Sequence, residues 1–114
     1  MDLFESIKGK AILNGITTRW FSISSGILQG SVLGPTLFLL FIDDLLEQLH
    51  KTKLGMTFDN LVLPANAYAD DTTLITLKVS ELQKLLDICN TWALNNRMEF
   101  GICKCFVVVF NSHV

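Results

Sequence analysis

Little in this chain could cross-link it. Its three cysteines, Cys89, Cys103 and Cys105, are odd in number and lack a C-x-x-C spacing. Neither a disulfide framework nor a zinc cage is therefore expected, and a reduced, intracellular protein fits best. An excess of positive charge is missing as well. Nine Lys and Arg stand against eleven Asp and Glu, for a net charge of -2, and the cations are scattered from Lys8 to Lys104 with no basic face visible. Composition alone thus gives no sign of tight nucleic-acid binding. The N-terminus has no cationic stretch leading into an apolar block and a cleavage site, so no secretion signal is read. Phe21 to Ile42 is uncharged over roughly the length of a bilayer span. Ser22, Ser24, Ser25, Gln29, Ser31, Pro35 and three glycines interrupt it, and no membrane span is expected. There is no internal repeat, low-complexity tract or linker.

What remains is 114 residues, half of them apolar, enough for one small domain with a modest core. KGKAILNGITTRWFSI places two β-favouring runs around Asn14-Gly15, the strongest short hairpin signal. Pro35 suits the first turn of a helix, where its missing N–H would be unpaired anyway. That helix is expected from Pro35 to His50, with Leu37, Phe38, Leu40, Phe41, Leu45 and Leu49 as its apolar face and His50, Lys51 and Lys53 near its negative end. Gly55 and Asn60 mark a loop. Leu61 to Leu77 reads as two short strands flanking Asp70 and Asp71. Ser80 and Gln83 have the spacing of a capping box for a second helix. Its face is Leu82, Leu85, Leu86, Cys89, Trp92 and Ala93, and its end lies near Asn95-Asn96. CFVVVF, Cys105 to Phe110, reads as a strand covered on both sides. The order predicts an α+β fold: an antiparallel sheet with two helices packed on one face.

The chemistry is concentrated in AYADDTTLI, residues 67–75. Successive strand side chains point to opposite faces, so the two carboxylates can serve one point only if a tight turn intervenes, and the residue types place that turn at Ala69-Asp70. Asp70 is then the expected direct metal ligand, with Asp71 second. Oxygen donors of this kind suit hard cations such as magnesium, held by one or two carboxylates plus substrate phosphates. Two such ions about 4 Å apart can promote phosphoryl transfer. For an arbitrary Asp-Asp pair, the commoner use is a solvated turn. Asp43 and Asp44, late in the first helix, read as solvated or structural.

Three ordered stretches, GILQGSVLGPTLFLLFIDDL, AYADDTTLI and WALNNRMEFGICKCFVVVF, together resemble the palm of reverse transcriptases of the non-LTR retrotransposon and group II intron type. The resemblance covers most of the chain and implies a single partial palm domain over residues 1–114. It implies that QGSVLGP is motif B, with Gln29 and Gly30 lining the nucleotide and template pocket. Tyr68, Ala69, Asp70 and Asp71 would be motif C, the catalytic hairpin, binding two magnesium ions in the complete enzyme. The stretch after Trp92 would be motif D, with Lys104 near the triphosphate as proton donor to the leaving pyrophosphate. The residues have plainer readings too: Gly30 as an ordinary turn glycine, Gln29 as a loop pin and Lys104 as a solvated strand lysine.

The implied function is RNA-templated DNA synthesis by two-metal nucleotidyl transfer, with an RNA template, a DNA primer and a deoxynucleoside triphosphate as partners and no membrane. The family's further aspartate, in motif A, has no counterpart upstream of Gln29, where Asp2 and Glu5 are the only acids. Fingers and thumb are also missing from the resemblance. The isolated chain is therefore expected to be inactive, and an open sheet edge is expected to favour self-association. The alternatives are a non-catalytic retroelement remnant, binding RNA or protein or without a selected role, and an unrelated phosphohydrolase, which would need a nucleophile or third carboxylate near the pair.

Overall fold

A computed structural model describes residues 7–23, 26 and 30–110. Its elements, in chain order, are β1 (Lys8–Gly9), β2 (Ile12–Leu13), β3 (Ile16–Thr17), β4 (Phe21–Ser22), α1 (Gly34–Lys51), β5 (Met56–Phe58), β6 (Leu61–Leu63), β7 (Ala65–Tyr68), β8 (Asp71–Leu74), α2 (Val79–Asn95) and a 3-10 turn (Ile102–Lys104). The fold is α+β, but its strands form four antiparallel pairs rather than the one expected sheet. The chain divides into two units, residues 1–38 and 39–114.

In the first unit, the expected hairpin forms. β2 and β3 pair Leu13 with Ile16, and Asn14 and Gly15 take φ of +51° and +78°, the two left-handed positions that a type I′ turn requires. β1 and β4 extend it, pairing Lys8 with Ser22 and Gly9 with Phe21. One extra residue in the second strand shifts the register between these pairs, as in a β-bulge. Thr18 holds the ribbon there, its N–H donating to the Ala11 carbonyl at 3.0 Å while its hydroxyl accepts from the Ala11 N–H at 3.0 Å.

The core of the second unit lies along the helices. Ile42, Leu45 and Leu49 of α1 and Leu85, Cys89, Trp92 and Ala93 of α2 are buried, together with Pro64 and Ala65. The spacings are those of amphipathic helices, although Leu37, Leu40, Phe41 and Leu86, expected on the apolar faces, are 40%, 69%, 36% and 43% exposed. Burial pushes the Cys89 thiol above its usual pKa, opposed by a backbone hydrogen bond. α2 begins one residue before the expected cap, and no side chain caps it. Ser80 thus falls inside the helix, and the Gln83 amide donates to Asp87 Oδ1 at 2.9 Å instead of reaching back.

Residues 61–68 run as nearly one strand, broken at Pro64, with β5 pairing its first half and β8 its second. The Met56 N–H donates to the Ile75 carbonyl at 3.2 Å and the Ile75 N–H to the Pro64 carbonyl at 2.9 Å, which joins the two hairpins end to end. Strand β5 lies where the sequence suggested only a loop. Gly55 makes the junction possible: its φ is +130°, and a Cβ there would lie 2.6 Å from the Leu63 carbonyl oxygen and from Pro64 Cα.

Cys105 to Phe110 is not a strand, and every residue of it is exposed. A β-strand needs a partner for its backbone groups, and none is present among the described residues.

Candidate active site

The two halves of AYADDTTLI form β7 and β8, paired Ala65 to Leu74, Asn66 to Thr73, Ala67 to Thr72 and Tyr68 to Asp71. Ala69 and Asp70 are the two-residue turn between them. Burial alternates with the pleat: Ala65, Ala67, Thr72 and Leu74 are buried or half-buried, whereas Asn66, Tyr68, Asp71 and Thr73 are exposed. The expected turn at Ala69-Asp70 is thus the observed one. Asp70 occupies the turn itself, and Asp71 opens the outgoing strand on the exposed face beside Tyr68, which is 86% exposed.

Among the described residues, three two-residue turns begin with a residue of positive φ: Asn14 at +51°, Asp59 at +55° and Ala69 at +53°. Asn and Asp tolerate this region through local hydrogen bonds, whereas alanine meets a Cβ–carbonyl clash costing about 1 kcal/mol. The strained alanine sits directly before the two carboxylates. Strain of this kind gathers at functional sites. Beneath the tip, the Thr72 hydroxyl is buried without a hydrogen-bond partner.

The other singled-out residues fall elsewhere. Gln29 lies outside the described residues. Gly30 adopts φ +87° in a turn, with open space where a Cβ would be, so its requirement is conformational rather than one of close approach. Lys104 ends the 3-10 turn rather than standing in or beside a strand, and it is exposed. Asp44, read as solvated or structural, accepts a hydrogen bond from the buried Trp92 indole.

An exposed pair of adjacent carboxylates at the end of a two-residue turn has the donor chemistry for a hard cation that brings phosphate oxygens of its own. Among the described residues, however, no group of three His, Cys, Asp or Glu side chains gathers. The pair fits part of a divalent site.

The family model described as reverse transcriptase (RNA-dependent DNA polymerase) matches residues 3–113. The chain belongs to the reverse transcriptase family, whose members act with divalent metal ions. Among its relatives is the RNA-directed DNA polymerase from mobile element jockey of Drosophila melanogaster, 37% identical over 77% of this chain and 10% of that protein. The jockey polymerase of Drosophila funebris is 35% identical over 97% of this chain and 12% of that protein. A retrovirus-related Pol polyprotein from a type-2 retrotransposable element of Drosophila melanogaster is 33% identical over 83% of the chain and 9% of its own length. The chain thus spans about a tenth of these relatives' length. No solved structure gives a significant match. No described helix is long and apolar enough to cross a membrane.

One feature escaped the sequence reading. Lys10 lies over the ring of Trp20, Nζ 5.5 Å from the ring centroid, in a hairpin whose charges are all positive. Its signal was available: residues 7–42 contain no Asp or Glu.

Proposed function

We propose that this chain is the part of a reverse transcriptase palm that carries the catalytic hairpin, serving RNA-templated DNA synthesis by two-metal nucleotidyl transfer. One observation carries the reading: β7 and β8 place Asp70 in a two-residue turn and Asp71 next to it, both exposed. Family membership supplies the reaction class.

In this reading, Asp70 and Asp71 hold magnesium through carboxylate oxygens, and Ala69 and Tyr68 border the primer and nucleotide. Gln29 and Gly30 line the nucleotide and template pocket, and Lys104 delivers a proton to the departing pyrophosphate. Bound magnesium would lower the pKa of the attacking primer hydroxyl and neutralise charge on the triphosphate. The partners are an RNA template, a DNA primer and deoxynucleoside triphosphates. Because the tip gathers two carboxylates and a two-ion site calls for more, the 114-residue chain on its own is proposed to be inactive. The exposed apolar run after Lys104 supports self-association, and the free thiols of Cys89, Cys103 and Cys105 fit an intracellular setting.

The test is primer extension on an RNA template by the full polypeptide that contains these residues. Magnesium-dependent synthesis is expected in the parent and should fall below detection in Asp70→Ala, with far-ultraviolet circular dichroism unchanged. Undiminished extension by a folded Asp70→Ala protein would overturn the assignment.

A further inference from the structure

The first unit's ribbon combines positive charge with an uncovered aromatic ring. Lys8, Lys10 and Arg19 are exposed, and no Asp or Glu occurs from residue 7 to residue 42. Lys8 and Lys10 alternate onto one face of the ribbon, and Trp20 shares that face, beside Lys10 at 5.5 Å. The indole remains 65% exposed with the lysine against it. Phe21 turns the other way, its ring lying across Gly9, where a Cβ would come within 2.7 Å of Cε2. Glycine at position 9 thus lets Phe21 cross the ribbon on one side, leaving the lysines and Trp20 on the other.

A large aromatic ring left in water beside two or three cations matches the two terms of single-strand recognition. Phosphates are neutralised by Lys and Arg, and a base stacks on the ring. We propose that the Lys8–Lys10–Trp20 face, with Arg19 beside it, is a contact surface for single-stranded nucleic acid. Charge complementarity favours this occupant: no Asp or Glu between residues 7 and 42 neutralises the cations, and a phosphate backbone supplies the missing counter-charge at regular spacing. The inference goes beyond the hairpin-tip chemistry and rests on none of its residues.

The test measures fluorescence anisotropy of short labelled oligouridylate and oligothymidylate with the full 114-residue chain across a salt series. Trp20→Ala should weaken binding about tenfold or more, the range of one lost base stack, and Trp20→Phe should retain most of it. Replacing both Lys8 and Lys10 with Gln should lower the logarithmic salt slope by about 0.7 for each lost phosphate contact. Asp59→Asn, at an exposed turn outside both sites, should bind as the parent does, and no variant used here touches the carboxylate tip, so failure here and failure of the polymerase reading remain separate. A preference for one oligonucleotide supports the proposal and names the strand, and equal binding to both supports a contact that accepts either. Absence of binding, or equal binding by folded Trp20→Ala, overturns it. So does a Trp20→Ala effect confined to sedimentation, which would mark the face as a protein contact.

Discussion

The Trp92 indole N–H donates to Asp44 Oδ2 at 2.7 Å, tying α2 to α1 across the core. The same oxygen accepts from the Gln48 amide at 3.0 Å, and the Phe41 ring lies 5.0 Å from Trp92, tilted at 56°. Trp92 is 2% exposed, so without Asp44 its N–H would be stranded. Asp44→Ala is expected to destabilise the protein by about 1–3 kcal/mol, whereas Asp44→Asn keeps an acceptor and should lose less. Urea melts followed by the near-ultraviolet signal of Trp92, in a Trp20→Phe background, decide it. Equal midpoints for the alanine and parent chains would show that the bond contributes nothing.

The junction between the two hairpins yields a sharper expectation. A side chain at Gly55 would meet backbone, which cannot move aside as a flexible side chain would, and φ is +130° besides. Gly55→Ala should therefore cost at least about 2 kcal/mol. Amide exchange should show the loss first at Met56 and Ile75, whose hydrogen bonds join the two hairpins. Gly30→Ala is the contrast: open space surrounds its Cβ position, so only the strain of its φ, about 1 kcal/mol, is lost.

Thr72 offers the opposite sign. Its hydroxyl is buried without a partner, a burden of roughly 1–3 kcal/mol, while its β-branched shape suits the strand. Thr72→Val keeps the shape and removes the orphan. A rise in stability of about 1 kcal/mol is expected, measured by the urea midpoint, and a fall would mean that the hydroxyl is satisfied in solution.

The sequence was most legible where local chemistry dictates geometry. Asn14-Gly15 and Pro35 each carry their own backbone instruction and stand where expected, and the Ala69-Asp70 tip also stands where expected, although alanine is strained at its φ of +53°. Reading failed where a partner decides. Ser80 and Gln83 have capping-box spacing, yet α2 starts at Val79, because a cap works only if the chain enters the helix at that residue. The β5 strand depends on pairing with β6 through Gly55, which no local pattern announces. Lys8, Lys10 and Trp20 are separated in sequence and meet only because the hairpin closes. The carboxylate tip was legible as a turn, but its roles came from family resemblance.

Cys105 to Phe110 presents the last case. Phe106, Val107, Val108, Val109 and Phe110 are 84%, 68%, 57%, 68% and 86% exposed. Apolar, β-branched and free of charge, the run has the composition of a strand but no pairing among the described residues. Unpaired backbone groups beside apolar side chains form a template for another strand. Each Val or Phe removed from water on pairing contributes on the order of 1.5–3 kcal/mol, enough for several together to offset the entropy of association. The 114-residue chain is therefore expected to associate with rising concentration in sedimentation velocity. Val107→Lys with Val109→Lys should return it to monomer without changing the melting of the Trp92 core, because these side chains lie outside that core. A chain that stays monomeric throughout, or a double variant that still associates, would move the contact away from this run.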